Sequence, residues 1–269
     1  MLVKEKMKNK YLLAVTKDLL ELKVKNLNFL FPIEGYSVGF QDVFKISEIK
    51  TEEAYLYINR TLDKESSSSL KEKLKNLSQN IVGIGFNDLG LISIAKELKL
   101  QVKLIYMNNH NTTNKASIND YLEYVDSVLI STDITEEEIK TILTEAKKPL
   151  VLPYFGMVEV MCSRRRLLTN FQTEFGLELK NEQVLFENIS KNPFHIVENE
   201  YGTVFYKDTF LDYRNIEHEK IEFYYINGLN LTKEDIIKII NKEKIEKTES
   251  GFLNKKTYYR LKEMNECKK

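Results

Sequence analysis

Residues 81–107 read IVGIGFNDLGLISIAKELKLQVKLIYM, and the fold turns on how this stretch is parsed. Two short runs rich in β-branched and aromatic side chains, Ile81 to Phe86 and Val102 to Met107, flank a segment of helical spacing. That arrangement predicts a strand, a crossover helix and a second strand parallel to the first. The pattern repeats outward in both directions. Ser127 to Ser131 and Leu150 to Tyr154 continue it, and Ala54 to Asn59 precedes it, with Leu70, Leu74 and Leu77 marking the helix between. Three helices open with capping-box spacing, in which a hydroxyl and a carboxylate satisfy orphan backbone donors: Ser69 with Glu72, Thr135 with Glu138, and Thr232 with Asp235.

Tyr11 to Val15 and Phe29 to Phe31 supply two earlier strands and Ile221 to Ile226 a last one, which makes eight. Eight βα units predict one α/β domain over 1–269, a (β/α)8 TIM-like barrel. The stretch at about 172–218 is too long for an ordinary connection. It holds Phe194 to Glu198 and Thr203 to Tyr206 around Tyr201-Gly202, so a β-hairpin insertion is expected between strands seven and eight. A C-terminal extension covers about 248–269. The first 50 residues, with Gly35 and Gly39, also admit a hairpin closing the barrel floor, which would leave the barrel incomplete or distorted. A doubly wound open sheet uses the same units, but its first strand-to-helix turn should be Gly-rich. Here Gly83 and Gly85 lie inside a strand, where they read as packing glycines, and Asp88 and Gly90 do not complete G-x-G-x-x-G.

Charge is balanced, with 40 basic and 40 acidic residues, so no overall field draws the chain to a phosphate polymer or an anionic membrane, although a local basic patch stays open. The run Tyr11 to Val15 is too short for a signal-peptide core, and no apolar run reaches the roughly 20 residues of a membrane span. Two cysteines, Cys162 and Cys267, cannot make a disulfide framework. The expected location is cytoplasmic, with no membrane partner.

In a barrel the working groups come from the C-terminal ends of the strands and the loops just after them. This selects Asn59 and Arg60, Asn87 and Asp88, His110 and Asn114, Ser131 and Asp133, and Glu159. Carboxylates, amides, an imidazole and guanidinium groups at one mouth suit a small anionic ligand or a peptide terminus. Arg164-Arg165-Arg166 is expected to begin a short helix capped by Ser163, with Leu167, Leu168 and Phe171 on its buried side. Its start would either bind an anion or form a solvated, salt-bridged face. His110, with Asp88 or Asp133, suits general acid–base work, or is a loop histidine bonded to its Asn neighbours. His195 and His218 read as structural. H-E-x-x-H is absent, so no dedicated metal site is expected, while a divalent ion on scattered carboxylates stays open.

Glu159-Val160-Met161-Cys162-Ser163-Arg164-Arg165-Arg166-Leu167-Leu168-Thr169-Asn170-Phe171 resembles the collagenase-like peptidase family, peptidase family U32. AYLYINR at 54–60, GIGFNDLG at 83–90, NTTN at 111–114, FHIVENEYGT at 194–203 and SGFLNKKTYYRLK at 250–262 resemble it in order, across roughly residues 10–262. The resemblance implies a barrel and a peptidase, and kinship with members that hydroxylate RNA bases or quinone precursors. Those members carry a His-Gly pair and several cysteines holding an iron–sulfur cluster. Here Glu159 matches the family glutamate, but Ser163 and Arg164 stand at the His-Gly positions. A cluster needs about four thiolates and this chain has two cysteines, so no iron–sulfur cofactor is expected.

For hydrolysis the sequence lacks G-x-S-x-G and an adjacent Cys-His pair. Glu159 or Asp88 is therefore expected to activate water, Arg165 to stabilise an oxyanion, and Asn59, Arg60, Asn87, Asn114, Ser131, Arg164 and Arg165 to hold substrate. Cys162 reads as a nucleophile or as an inert thiol. A barrel without catalysis, serving as a ligand-binding or partner subunit, is the alternative. An RNA role is the third reading: Lys255, Lys256, Tyr258, Tyr259, Arg260 and Lys262 mix bases with aromatics, as do Tyr-rich strands with polar edges.

Overall fold

A computed structural model describes residues 10–256, through which one twelve-stranded mixed sheet runs with helices packed against it. Seven strands follow in turn: β1 (Tyr11–Ala14), β2 (Leu27–Pro32), β3 (Ala54–Ile58), β4 (Ile81–Phe86), β5 (Lys103–Tyr106), β6 (Ser127–Val128) and β7 (Leu150–Ser163). They are interleaved with helices α1 (Lys64–Leu74), α2 (Gly90–Leu98), α3 (Lys115–Tyr121) and α4 (Glu136–Glu145). After β7 come α5 (Leu167–Phe175), β8 (Glu182–Phe186), β9 (Pro193–Asn199), β10 (Gly202–Asp212), β11 (Ile221–Asn227), α6 (Lys233–Ile240) and β12 (Thr248–Glu249). The expected strands are thus present, with bounds moved by a few residues except at β7.

Spatial order along the sheet is β6-β5-β4-β3-β2-β1-β11-β7-β10-β9-β8, with β12 beside β10. From β6 to the first half of β7 every pairing is parallel. The two ends of this parallel run also meet: Leu129, just past β6, forms a parallel bridge with Val151 of β7, and the Ile130 N–H donates to the Val151 carbonyl at 2.9 Å. Strands buried on both faces need apolar side chains in both directions, which is why these runs barely alternate. One set of faces, including Leu12, Leu30, Tyr55, Ile105, Val151 and Phe223, packs together. The opposite set, including Leu13, Phe31, Leu56, Leu70, Leu91 and Ile139, forms the larger core beneath the helices.

Within the inner cluster the Tyr55 and Phe223 rings meet edge-on at 5.5 Å, and Lys103 of β5 pairs with Glu222 of β11. Gly83 and Gly85 make room for this packing. A Cβ at Gly83 would lie 2.3 Å from the Tyr55 ring, and one at Gly85 would lie 2.4 Å from the Met107 sulfur. The packing role expected of them follows from that absence of side chain.

Several local expectations are corrected. Helix α1 starts before Ser69: Asp63 caps it in a reciprocal box with Ser66, while Ser69 sits inside the helix and accepts from the Tyr36 hydroxyl at 2.9 Å. Asp63 takes the cap because its carboxylate accepts from the Ser66 N–H at 2.8 Å while the Ser66 hydroxyl accepts from the Asp63 N–H at 2.9 Å. Thr135 and Thr232 cap α4 and α6 through the boxes expected of them. Near the N-terminus, β1 and β2 pair in parallel and the segment through Gly35 and Gly39 ends in an isolated parallel bridge between Ile33 and Phe44, so no floor-closing hairpin forms, and 3-10 turns at Lys17–Leu19 and Ile46–Glu48 stand where crossover helices would be.

Strand β7 runs far beyond Tyr154. Its second half pairs antiparallel with β10, and β9 and β8 continue the sheet outward. The expected hairpin around Tyr201-Gly202 is present as β9 and β10, and the end of β7 on one side and β8 on the other extend it into a sheet. Gly156 marks the change of partner at φ +123°, where a Cβ would lie 2.5 Å from the Asn227 carbonyl oxygen. Only glycine takes that conformation without strain. The arginine run also differs from expectation: α5 begins at Leu167 with Arg166 at its cap position, so the three arginines precede the helix. Leu168 is buried but Phe171 is half exposed. Among the described residues no helix is long and apolar enough to cross a membrane. Tyr258, Tyr259, Arg260, Lys262 and Cys267 lie outside the described residues.

Candidate active site

A cavity of about 240 Å³ opens where the C-terminal ends of β3, β4, β5 and β11 meet the second half of β7. Glu159 is its central charged group. Strand β7 reaches the cavity because it extends past Gly156, and Glu159 stands opposite Tyr206 in the antiparallel pairing with β10. The carboxyl is partly buried and crowded by protein, and that desolvation raises its pKa above the usual carboxylate range, with the nearby His110 pulling the other way.

His110 lies on the 3-10 turn Asn109–Asn111 after β5. The Asn108 side chain accepts from the His110 N–H at 3.2 Å, and Nδ1 of the ring lies 3.2 Å from Asp133 Oδ2. Asn109 ties this turn to the next loop by accepting from the Thr132 N–H at 2.8 Å and donating to the Thr132 hydroxyl at 2.9 Å. The imidazole is thus oriented by a carboxylate and carried on a turn anchored at two points.

Three phenols line the same space. Burial pushes the hydroxyls of Tyr57, Tyr206 and Tyr225 up, and the Glu159 charge adds to the effect in each case. Tyr206 donates to the Gly39 carbonyl at 2.9 Å. The Cys162 thiol faces the cavity from a residue that is exposed overall; crowding and the Glu159 charge push its pKa up to about 12. It is therefore protonated at neutral pH and a weak nucleophile as it stands.

The remaining selected residues divide sharply. Asn87 lines the cavity, and its Oδ1 is buried without a hydrogen-bond partner. Asn59 lines it too, but its amide is committed to both backbone groups of Val38, at 2.8 and 2.9 Å. Asp88 is outside the lining. Its two oxygens accept from the Leu62 and Gly90 N–H groups at 2.8 Å each, which makes it a loop organiser. Ser131 is buried and accepts from the Asp133 N–H, and Asn114 caps α3.

The arginines lie elsewhere. Arg60 donates to the Gly35 carbonyl at 2.8 Å and stacks over Tyr201, Arg164 pairs with Asp63 at 3.3 Å, and Arg165 is exposed. None of the three lines the cavity. His195 is buried and paired with Glu182 at 2.7 Å. Lys255 stacks on Phe252.

The cavity also takes in Tyr57, Tyr206, Tyr225 and Phe40, which the strand-end rule does not single out. Tyr57 and Tyr225 occupy inward positions near strand ends and carry that signal, whereas Tyr206 and Phe40 arrive from the insertion and a loop and carry none. Among the described residues no three His, Cys, Asp or Glu side chains come together to hold a metal ion. An iron–sulfur cluster does not fit either, because Cys162 is the one thiolate source at the cavity among the described residues and the chain has two cysteines in all. The arrangement can move a proton between Glu159 and a bound molecule, with His110 as a second proton carrier.

Comparison with known proteins agrees with the family resemblance. No curated protein matches the chain. Among solved structures, the Bacillus cereus spore cortex-lytic enzyme SleL is similar at 10% identity and a TM-score of 0.35, over 82% of this chain and 68% of that one. The C-terminal domain of a chitinase-like protein from Desulfitobacterium hafniense DCB-2 is similar at 12% identity and 0.32, over 71% and 78%. The family model described as Peptidase family U32 matches residues 38–178, a span that runs from β3 through α5 and holds Glu159, His110, Asp133 and Cys162. This chain belongs to peptidase family U32.

Proposed function

We propose that the chain is a hydrolase acting on peptides in the cavity at Glu159, and that its eight parallel strands close into a (β/α)8 barrel. The barrel reading is supported by the Leu129–Val151 bridge, which joins the last strand of the parallel run to the first half of β7. The hydrolase reading rests on one observation: a family glutamate of raised pKa lies in the cavity at the strand ends, with an Asp-oriented histidine lining it too. Glu159 takes a proton from the attacking water as a general base, and His110 returns one to the leaving amine. The phenols of Tyr57 and Tyr225, rather than Arg165, take the role of donors to a developing oxyanion, since the Tyr206 hydroxyl is committed to the Gly39 carbonyl. Cys162, a free cysteine, suits a reducing compartment, and we place the protein in the cytoplasm.

The test is mass-spectrometric profiling of a diverse peptide pool incubated with the purified protein and, in parallel, with Glu159→Gln. Cleavage that disappears in the variant is the expected result. A pool left intact by the native chain, yet cut by a known protease, would overturn the hydrolase reading and turn attention to a ligand-binding role.

A further inference from the structure

We infer that the cavity selects molecules bearing an ammonium group, such as the free N-terminus of a peptide, and holds that group between Glu159, Asn87 and the surrounding tyrosines. The inference deepens the cavity reading above and rests on it. Its first support is the charge of the lining. Among the described residues Glu159 is the one carboxylate that lines the cavity, and no lysine or arginine does. The groups facing Glu159 are His110, Cys162 and the hydroxyls of Tyr57, Tyr206 and Tyr225. Of these only His110 can be cationic, and its charge is balanced by Asp133 at 3.2 Å. An anionic ligand would bring a second negative charge beside Glu159 in a poorly solvated space, which is costly; a cation supplies the missing counter-charge.

A second, independent support is Asn87. Its Oδ1 is a buried acceptor without a protein donor, and such a group carries a desolvation cost until one arrives. An ammonium has three N–H donors and no acceptor, which suits a carboxylate and an amide oxygen together. The third is the aromatic wall, since Phe40, Tyr57, Tyr206 and Tyr225 present rings that attract cations electrostatically.

Calorimetric titration with benzylammonium, benzyl alcohol and benzoate tests this on the full chain, with circular dichroism to establish that each variant is folded. Benzylammonium should bind at least about tenfold more tightly than benzyl alcohol, with benzoate weakest. Glu159→Gln should remove the preference, and Asn87→Ser should weaken benzylammonium alone. In the native chain its affinity should rise as pH climbs through the Glu159 titration, and in Glu159→Gln that rise should vanish. Equal or absent binding of the three probes, or a preference surviving Glu159→Gln, would overturn the inference. Peptides keep it separable from the hydrolase reading. Cleavage of N-acetylated peptides as readily as free ones sinks ammonium selection and leaves hydrolysis standing, while ammonium binding without cleavage does the reverse.

Discussion

Glu159 carries opposed demands. Its folded-state pKa is raised above the ordinary value of 4.5, so the fold binds the proton more tightly than the unfolded chain does. Stability from this group is therefore full below that value and is lost as pH rises through the folded pKa. Glu159→Gln should raise Tm at pH 7 by roughly 2–4 °C, the effect of about 1 kcal/mol in a domain of this size, while abolishing turnover. Thermal scans at pH 4 and pH 7 check the sign, because the gain should shrink at the lower pH. Cys162 depends on the same charge. With its thiol held up to about 12, it should react with iodoacetamide slowly at pH 7.5 despite its exposed residue, and faster in Glu159→Gln. Site-resolved mass spectrometry would settle it, and equal rates in the two proteins would refute the coupling.

Helix α5 is anchored at its start by a buried carboxylate, beside the Thr203 hydroxyl that accepts from the Leu167 N–H at 2.9 Å. Glu198 of β9 accepts from the Leu168 and Thr169 N–H groups at 2.7 and 3.0 Å, and from the hydroxyls of Thr169 and Thr203. Burial opposes its ionisation, but these donors outweigh burial and the pKa falls below the ordinary carboxylate value. The anchor thus contributes stability at neutral pH that is lost as pH falls through the folded pKa. Glu198→Ala leaves these donors unsatisfied and should cost about 2–3 kcal/mol in chemical denaturation, with limited proteolysis appearing first within α5. The anchor also explains the position of the arginine run. Of the two readings, an anion site or a salt-bridged face, the contacts fit the second: a carboxylate from the insertion occupies the helix start, and Arg166 lies 3.8 Å from it. No spacing in residues 159–171 announces a partner that follows 27 to 39 residues later.

Across the whole molecule, the parallel strands differ in how firmly they are joined. β1 has four register pairs with each of β2 and β11, whereas the contact between the two ends of the parallel run rests on the bridge at Leu129 and Val151. Fewer cross-strand hydrogen bonds mean cheaper local opening. Hydrogen exchange should release the Ile130 amide well before that of Leu13, and simultaneous release would mean that the seam opens only with the whole domain.

Period, chain order and caps are local properties, and the sequence by itself determined them: the βα alternation from Ala54 onward, the boxes at Thr135 and Thr232, and the packing role of Gly83 and Gly85. It also singled out Glu159, Asn87 and His110, because strand ends are legible wherever strands are. Which of those ends share a cavity was decided by tertiary structure alone. Asp88 and Asn59 are taken by backbone groups, and Arg60 and Arg164 turn toward Gly35 and Asp63. Tyr206 and Phe40 enter from segments whose partners lie far away in sequence. A side chain's competitors for hydrogen bonds and space come from elsewhere in the chain, so its availability for chemistry exists only once those segments are packed together.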